Sequence, residues 1–182
     1  MLELSLHILD IVENSTRAEA KKVFITLIEN TGRDTISVEI RDDGAGMTEE
    51  MLKKVTDPFF TTKTVRKIGL GIPMFAQAVE SVHGKLTIES KAGEGTRVAA
   101  EFKLHHIDRQ PLGDIGSTMV TLIAGNTDVE FIYRHKRDDR EYLFDTREVK
   151  KVIAKVPINH PDILNFIRKH IHEGLLEIET EA

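Results

Sequence analysis

The chain has 182 residues, 40% hydrophobic and 30% charged, with a formal net charge of −5, which describes a soluble globular protein with room for one large domain or a domain and an appendage. It has no cysteine, which excludes a disulfide framework, thiolate metal ligation and a cysteine nucleophile. No stretch approaches the ~18 apolar residues of a membrane span and the start lacks the order of a secretion signal, so no membrane association is expected and the expected location is cytoplasmic.

The first predicted element is a helix from Met1 to about Ala20, with Leu4, Ile8, Ile11, Val12 and Ser15 on one face at three-four spacing. Val23 to Ile28 reads as a buried strand, residues 30–34 as a turn, and Thr35 to Arg41 alternates as a second strand. Thr48 is placed to cap a helix opening at Glu49-Glu50. Asp57 to Ile68 carries no regular pattern, and Gly69 to His83 reads as a helix that tolerates Pro73 only in its first turn. Lys85 to Ser90 and Thr96 to Leu104 read as strands joined by a turn at Gly93-Glu94-Gly95. The expected architecture for residues 1–104 is an α/β (α+β) two-layer sandwich, a mixed sheet with helices on one face.

After Leu104 the texture changes, and residues 105–182 read as a C-terminal α+β extension. Pro111, Gly113 and Gly116 punctuate a connector. Met119 to Ile123, Val129 to Tyr133 and Tyr142 to Phe144 read as short strands, the last two joined by a turn at Asp138-Asp139-Arg140. A helix is predicted over Thr146 to Ala154 with Thr146 as its cap. Another is predicted from Asn159-His160-Pro161 to about Glu173, stopped by Gly174, with a last strand at Leu175 to Glu179.

Residues 1–104 hold 14 Lys+Arg and 16 Asp+Glu, leaving 25 − 14 = 11 and 30 − 16 = 14 for the rest. Neither part is basic, so nucleic acid is not an expected partner. Six of the eight histidines follow residue 104. His170 and His172 are two apart and point to different faces of a helix, so no metal site is expected from them.

Four ordered motifs carry the chemistry. In H-I-L-D-I-V-E-N-S-T-R-A (His7 to Ala18), Asp10 and Asn14 share a helix face. An Asn oxygen suits Mg²⁺, a carboxylate one turn earlier can polarise an attacking hydroxyl or water, and Arg17 one turn later can neutralise phosphate. Alone, such residues also make a solvated helix face. In D-D-G-A-G-M, Asp42 ends a strand, where it can accept from an adenine amino group, and Gly44 and Gly46 allow close backbone approach beside Met47. Alone, this is also an acidic turn. In D-P-F-F-T-T-K followed by I-G-L-G-I-P, Lys63 can reach terminal phosphates, and Gly69, Leu70 and Gly71 open a helix whose free amides form an anion site. In G-E-G-T-R, Thr96 can support Asp42 directly or through a water, though the segment alone is also a hairpin turn.

As a set these motifs resemble those of the GHKL superfamily of ATPases, which groups gyrase, histidine kinases and MutL around the Bergerat ATP-binding fold. E-N-S-T-R-A is similar to the N box, D-D-G-A-G to the first glycine box, D-P-F-F-T-T-K to the F box, and G-L-G-I and G-E-G-T to the second and third glycine boxes. The pattern most resembles the catalytic domain of sensor histidine kinases, over residues 1–104. The resemblance implies ATP and Mg²⁺, with Asn14 on the metal, Arg17, Lys63 and the Gly69–Gly71 amides on phosphates, and Asp42 on adenine. Asp10 stands where gyrase and MutL carry a glutamate base, and Lys67 stands where histidine kinases carry the first glycine of G-x-G-L-G. The N-box helix opens the sequence, so the strand that precedes it in the family is expected from the C-terminal segment, paired onto the same sheet. H-I-D-R-Q-P-L, His106 to Leu112, is similar to a phospho-acceptor box, but it follows a strand and reads as a connector.

Two functions are expected from this set. The first is a stand-alone signalling kinase that moves the ATP γ-phosphoryl to a protein partner. The second is a slow ATPase or ATP-dependent binding module. A homodimer is among the assemblies implied.

Overall fold

The computed structural model describes residues 3–57 and 71–180. In chain order it contains α1 (Leu4–Arg17), β1 (Lys22–Asn30), β2 (Thr35–Asp42), α2 (Glu49–Lys54), α3 (Gly71–Ser81), β3 (Lys85–Lys91) and β4 (Gly95–Lys103). There follow α4 (Ile115–Gly125), β5 (Glu130–Arg137), β6 (Arg140–Asp145), α5 (Thr146–Ile153) and α6 (Pro161–Glu177).

Alternation decides the sheet. β1 buries Val23, Ile25, Leu27 and Glu29 on one side, and on the other leaves Phe24 40% and Ile28 37% exposed. β1 pairs antiparallel with β2, β2 with β4, and β4 with β3. On its other edge β1 pairs in parallel with β5, Val23 opposite Phe131, so a strand from the C-terminal part extends the same sheet. The strand order is β3-β4-β2-β1-β5-β6.

The helical layer runs alongside: α1 packs on α3 and α4, and α4 on α6. Ile8, Ile11 and Val12 of α1 join Phe75 of α3, Met119 and Leu122 of α4 and Ile167 and Ile171 of α6 in one core with the buried sheet face. Each such side chain contributes roughly 1.5–3 kcal/mol. The connector closes over the start of α1. Leu4 and Ser5 donate their N–H groups to the carbonyls of Pro111 and Leu112 at 2.9 and 2.8 Å, and His7 Nε2 meets Gln110 Oε1 at 2.9 Å. The two backbone bonds satisfy amides that a helix start leaves unpaired. At the β1–β5 seam, fully buried Glu29 and His135 meet at 2.6 Å, and the Tyr133 hydroxyl meets His135 Nδ1 at 2.8 Å.

Several local expectations are corrected. Met119 to Ile123 lies inside α4, where Ile115, Met119, Leu122 and Ile123 face the core at helical spacing and Asp114 caps by accepting from the Ser117 N–H. No strand forms at Leu175 to Glu179, because α6 runs through Gly174 to Glu177. That glycine serves packing: a Cβ there would lie 2.0 Å from the Tyr142 ring. Asp145, not Thr146, caps α5, and the buried Thr146 hydroxyl instead accepts from the Phe131 N–H at 2.9 Å. His106, by contrast, lies as expected in the connector after β4, where its Nδ1 accepts from the Asp108 N–H at 3.2 Å.

Candidate functional site

The end of α1, the loop after β2, the start of β4 and the start of α3 surround a cavity of about 260 Å³. Its apolar wall is Ile11, Ala18, Ile40, Met47, Met51, Val55, Ile72, Pro73 and Val98, and its polar wall includes Asn14, Ser15, Arg17, Asp42 and Thr96. Of the residues singled out in the sequence, Asn14, Arg17, Asp42, Gly46, Met47, Gly71 and Thr96 line it together. Lys63, Gly69, Leu70 and Lys67 lie outside the described residues.

Asp42 ends β2 opposite Val23 on one side and Thr96 on the other, and only 7% of it is exposed. A carboxylate buried this far needs partners. Its Oδ1 accepts the Gly44 N–H at 2.9 Å and the Thr96 N–H at 3.2 Å, and its Oδ2 accepts the Ser15 hydroxyl at 2.6 Å. Thr96 thus supports Asp42 through its backbone, while its hydroxyl pairs with Ser90 Oγ at 2.9 Å.

The glycines are required by close approach. Gly46 has φ +65°, and a Cβ on it would lie 2.0 Å from the Lys91 carbonyl oxygen. Gly95 has φ +88°, and its Cβ would lie 2.0 Å from the Asp42 carbonyl oxygen. The loop after β2 is tied to its neighbours on both sides. Ala45 N–H donates to the Ala18 carbonyl at 2.8 Å, Gly93 N–H to the Ala45 carbonyl at 2.7 Å, and Met47 N–H to Ser90 Oγ at 2.8 Å.

At the other end, Asn14 Oδ1 accepts from Arg17 Nη1 at 3.0 Å, and Arg17 Nη2 meets Glu13 Oε2 at 2.5 Å. The Arg17 and Glu13 side chains are 47% and 44% exposed, so this pair contributes roughly 0–1 kcal/mol and yields readily to another anion. Asp10 stands one turn before Asn14, and Gly71 packs against both. A Cβ on Gly71 would lie 3.1 Å from Asp10 Cβ and 3.5 Å from Asn14 Nδ2. The start of α3 therefore meets α1 at the Asp10–Asn14 pair, although Asp10 itself is not part of the cavity lining. Among the described residues no cluster of three or more His, Asp or Glu is placed to hold a metal ion.

The motif pattern does not single out Ser15 and Ser90 for the site. The available signal was a polar residue on the apolar stripe of α1, since a buried hydroxyl requires a partner.

A family model described as "Histidine kinase-, DNA gyrase B-, and HSP90-like ATPase" matches residues 2–106. Sporulation kinase E of Bacillus subtilis (strain 168) is 38% identical over 74 residues, covering 41% of this chain and 10% of that protein. Sporulation kinase C of the same organism is 34% identical over 99 residues, covering 46% of this chain and 23% of that protein. The chain thus spans at most about a quarter of the length of these two relatives. The crystal structure of the N-terminal domain of a DNA repair protein shares the fold, with a TM-score of 0.56 at 14% identity over 87% of this chain and 59% of that one. No helix of the described residues is long and apolar enough to cross a membrane. By the match over residues 2–106, the chain belongs to the histidine kinase-, DNA gyrase B- and HSP90-like ATPases.

Proposed function

We propose that the cavity binds ATP with Mg²⁺ and that the protein is a signalling kinase, transferring the γ-phosphoryl group to a protein partner. The observation that carries the nucleotide reading is Asp42. It is a buried carboxylate at the floor of an apolar slot, held by three donors, beside glycines whose Cβ atoms would collide with backbone. That arrangement fits a flat ring with one amino group facing the carboxylate.

Asn14 fits Mg²⁺ as a single neutral oxygen ligand, the arrangement in which this ion keeps water and phosphate oxygens around it. When bound, the ion would neutralise phosphate charge. Arg17 would leave Glu13 for the phosphates, and Lys63 with the amides at Gly69, Leu70 and Gly71 would hold the chain of phosphates. Asp10, one turn before Asn14, would take the proton of the attacking hydroxyl or imidazole, and positioning and charge neutralisation would do the rest. The kinase names of the two relatives support phosphoryl transfer.

A second reading, an ATP-dependent binding module or slow ATPase, draws on a separate observation. α1 carries Asn14 at one end and is bonded to the connector at the other, and it packs on α4, so nucleotide binding has a path into the C-terminal helices. Incubation with [γ-³²P]ATP and cell extract separates the two. Label on a partner protein supports the kinase, and free phosphate with no labelled protein supports the ATPase.

A further inference from the structure

We propose that Ser15 is a positioning residue that sets which purine the site accepts, by fixing the one acceptor direction that Asp42 has left. The inference rests on the reading that the cavity holds a nucleotide.

An ionised carboxylate offers about four acceptor directions. The Gly44 and Thr96 amides take two on Oδ1, and the Ser15 hydroxyl takes one on Oδ2. The remaining direction is on Oδ2, the oxygen Ser15 holds, and both residues line the cavity. A base edge placed there must present a donor. An exocyclic amino group does so; a ring carbonyl at the same place would set lone pair against lone pair.

The hydroxyl has little freedom to do otherwise. Ser15 is 4% exposed on the core stripe of α1, one turn after Ile11. Its alternative acceptor is the Ile11 carbonyl, the usual partner of a helical serine, but that contact is 3.5 Å against 2.6 Å to Asp42. Without the hydroxyl, Oδ2 has two open directions and space for a water. A water can turn either a proton or a lone pair towards the base, so it would serve a carbonyl as well as an amino group. Loss of Ser15 should therefore relax discrimination as well as weaken binding. A purely structural role would change stability and leave the ratio of affinities alone.

The test is calorimetric titration of the full chain with ATP and with GTP, for wild type, Ser15→Ala and Ser15→Cys. Cysteine is close in size but a weak donor, and it carries the test should the alanine variant not fold. The expected result is a preference for ATP in wild type that falls by about tenfold in both variants, the effect of one hydrogen bond to a charged group. A ratio unchanged from wild type in a folded variant overturns the assignment alone. Wild-type protein that binds neither nucleotide overturns the nucleotide reading and this assignment with it.

Discussion

Asp42→Asn removes a charge while keeping shape, and its two sides respond differently. On the protein side, the amide Oδ1 can go on accepting the Gly44 and Thr96 N–H groups, now at 2.9 and 3.2 Å. The Ser15 hydroxyl, at 2.6 Å, can turn to accept from the new Nδ2. Every buried polar atom keeps a partner, so the loss of stability should stay near ~1 kcal/mol, a fall of about 2–4 °C in Tm for a chain of this size. On the ligand side, the last acceptor direction becomes an N–H facing an amino group. A hydrogen bond to a charged group contributes about 1.5–3 kcal/mol, so ATP affinity should fall at least ~10-fold and up to ~150-fold. Calorimetric titration beside a thermal melt reads both quantities. Unchanged affinity in a folded variant would refute the reasoning, because it would mean that the base does not meet Asp42.

Gly46→Ala should cost at least about 2 kcal/mol by urea denaturation, since its Cβ would lie 2.0 Å from the Lys91 carbonyl oxygen at φ +65°. Gly93→Ala is the control: its φ is +81°, but nothing lies within 4 Å of the added atom, so the cost should be near ~1 kcal/mol. Equal costs would show that backbone conformation, not close approach, selects Gly46. Asn14→Ala should abolish Mg²⁺-dependent turnover and change metal-free nucleotide binding much less; equal losses in both would place Asn14 away from the ion. Burial holds the His7 imidazole below its ordinary value of 6.5, against the opposing hydrogen bond to Gln110. The unfolded chain therefore takes up a proton near 6.5 that the folded chain refuses. This contribution to stability is present above that pH and is lost as pH falls below it, with a slope of at most about 1.4 kcal/mol per pH unit. Urea midpoints at pH 7.5 and 5.5 should diverge less in His7→Gln than in wild type, and equal divergence would contradict it.

The sheet of the first part was legible because β1 is a short apolar run, β2 alternates, and turns with Asn, Asp and Gly separate the strands; that Phe24 and Ile28 of β1 face outward was not, because the run is apolar on both faces. The floor of the site was legible for a related reason: a carboxylate at a strand end followed by two spaced glycines states a backbone constraint in the residues themselves. What was not legible depends on partners far along the chain. The run Met119 to Ile123 is short and apolar apart from Thr121, so its periodicity did not distinguish a buried strand from a buried helix. Gly174 reads locally as a helix stop, but its neighbour is Tyr142, from another element. Glu29 and His135 find each other 106 residues apart across a parallel strand pair, a pairing no local pattern announces. Ser15 is the informative miss. A serine on an apolar stripe fits as a small core residue, and its 2.6 Å bond to Asp42 and its place in the cavity wall make it part of the site.

The most direct test of the central claim is a crystal structure of the protein with a non-hydrolysable ATP analogue and Mg²⁺. The expected result is the adenine amino nitrogen about 3 Å from Asp42 Oδ2, between the Ser15 hydroxyl and the Gly46 backbone, with the phosphates towards Asn14 and the start of α3. An analogue whose base lies away from Asp42, or that occupies a different surface, would contradict the account.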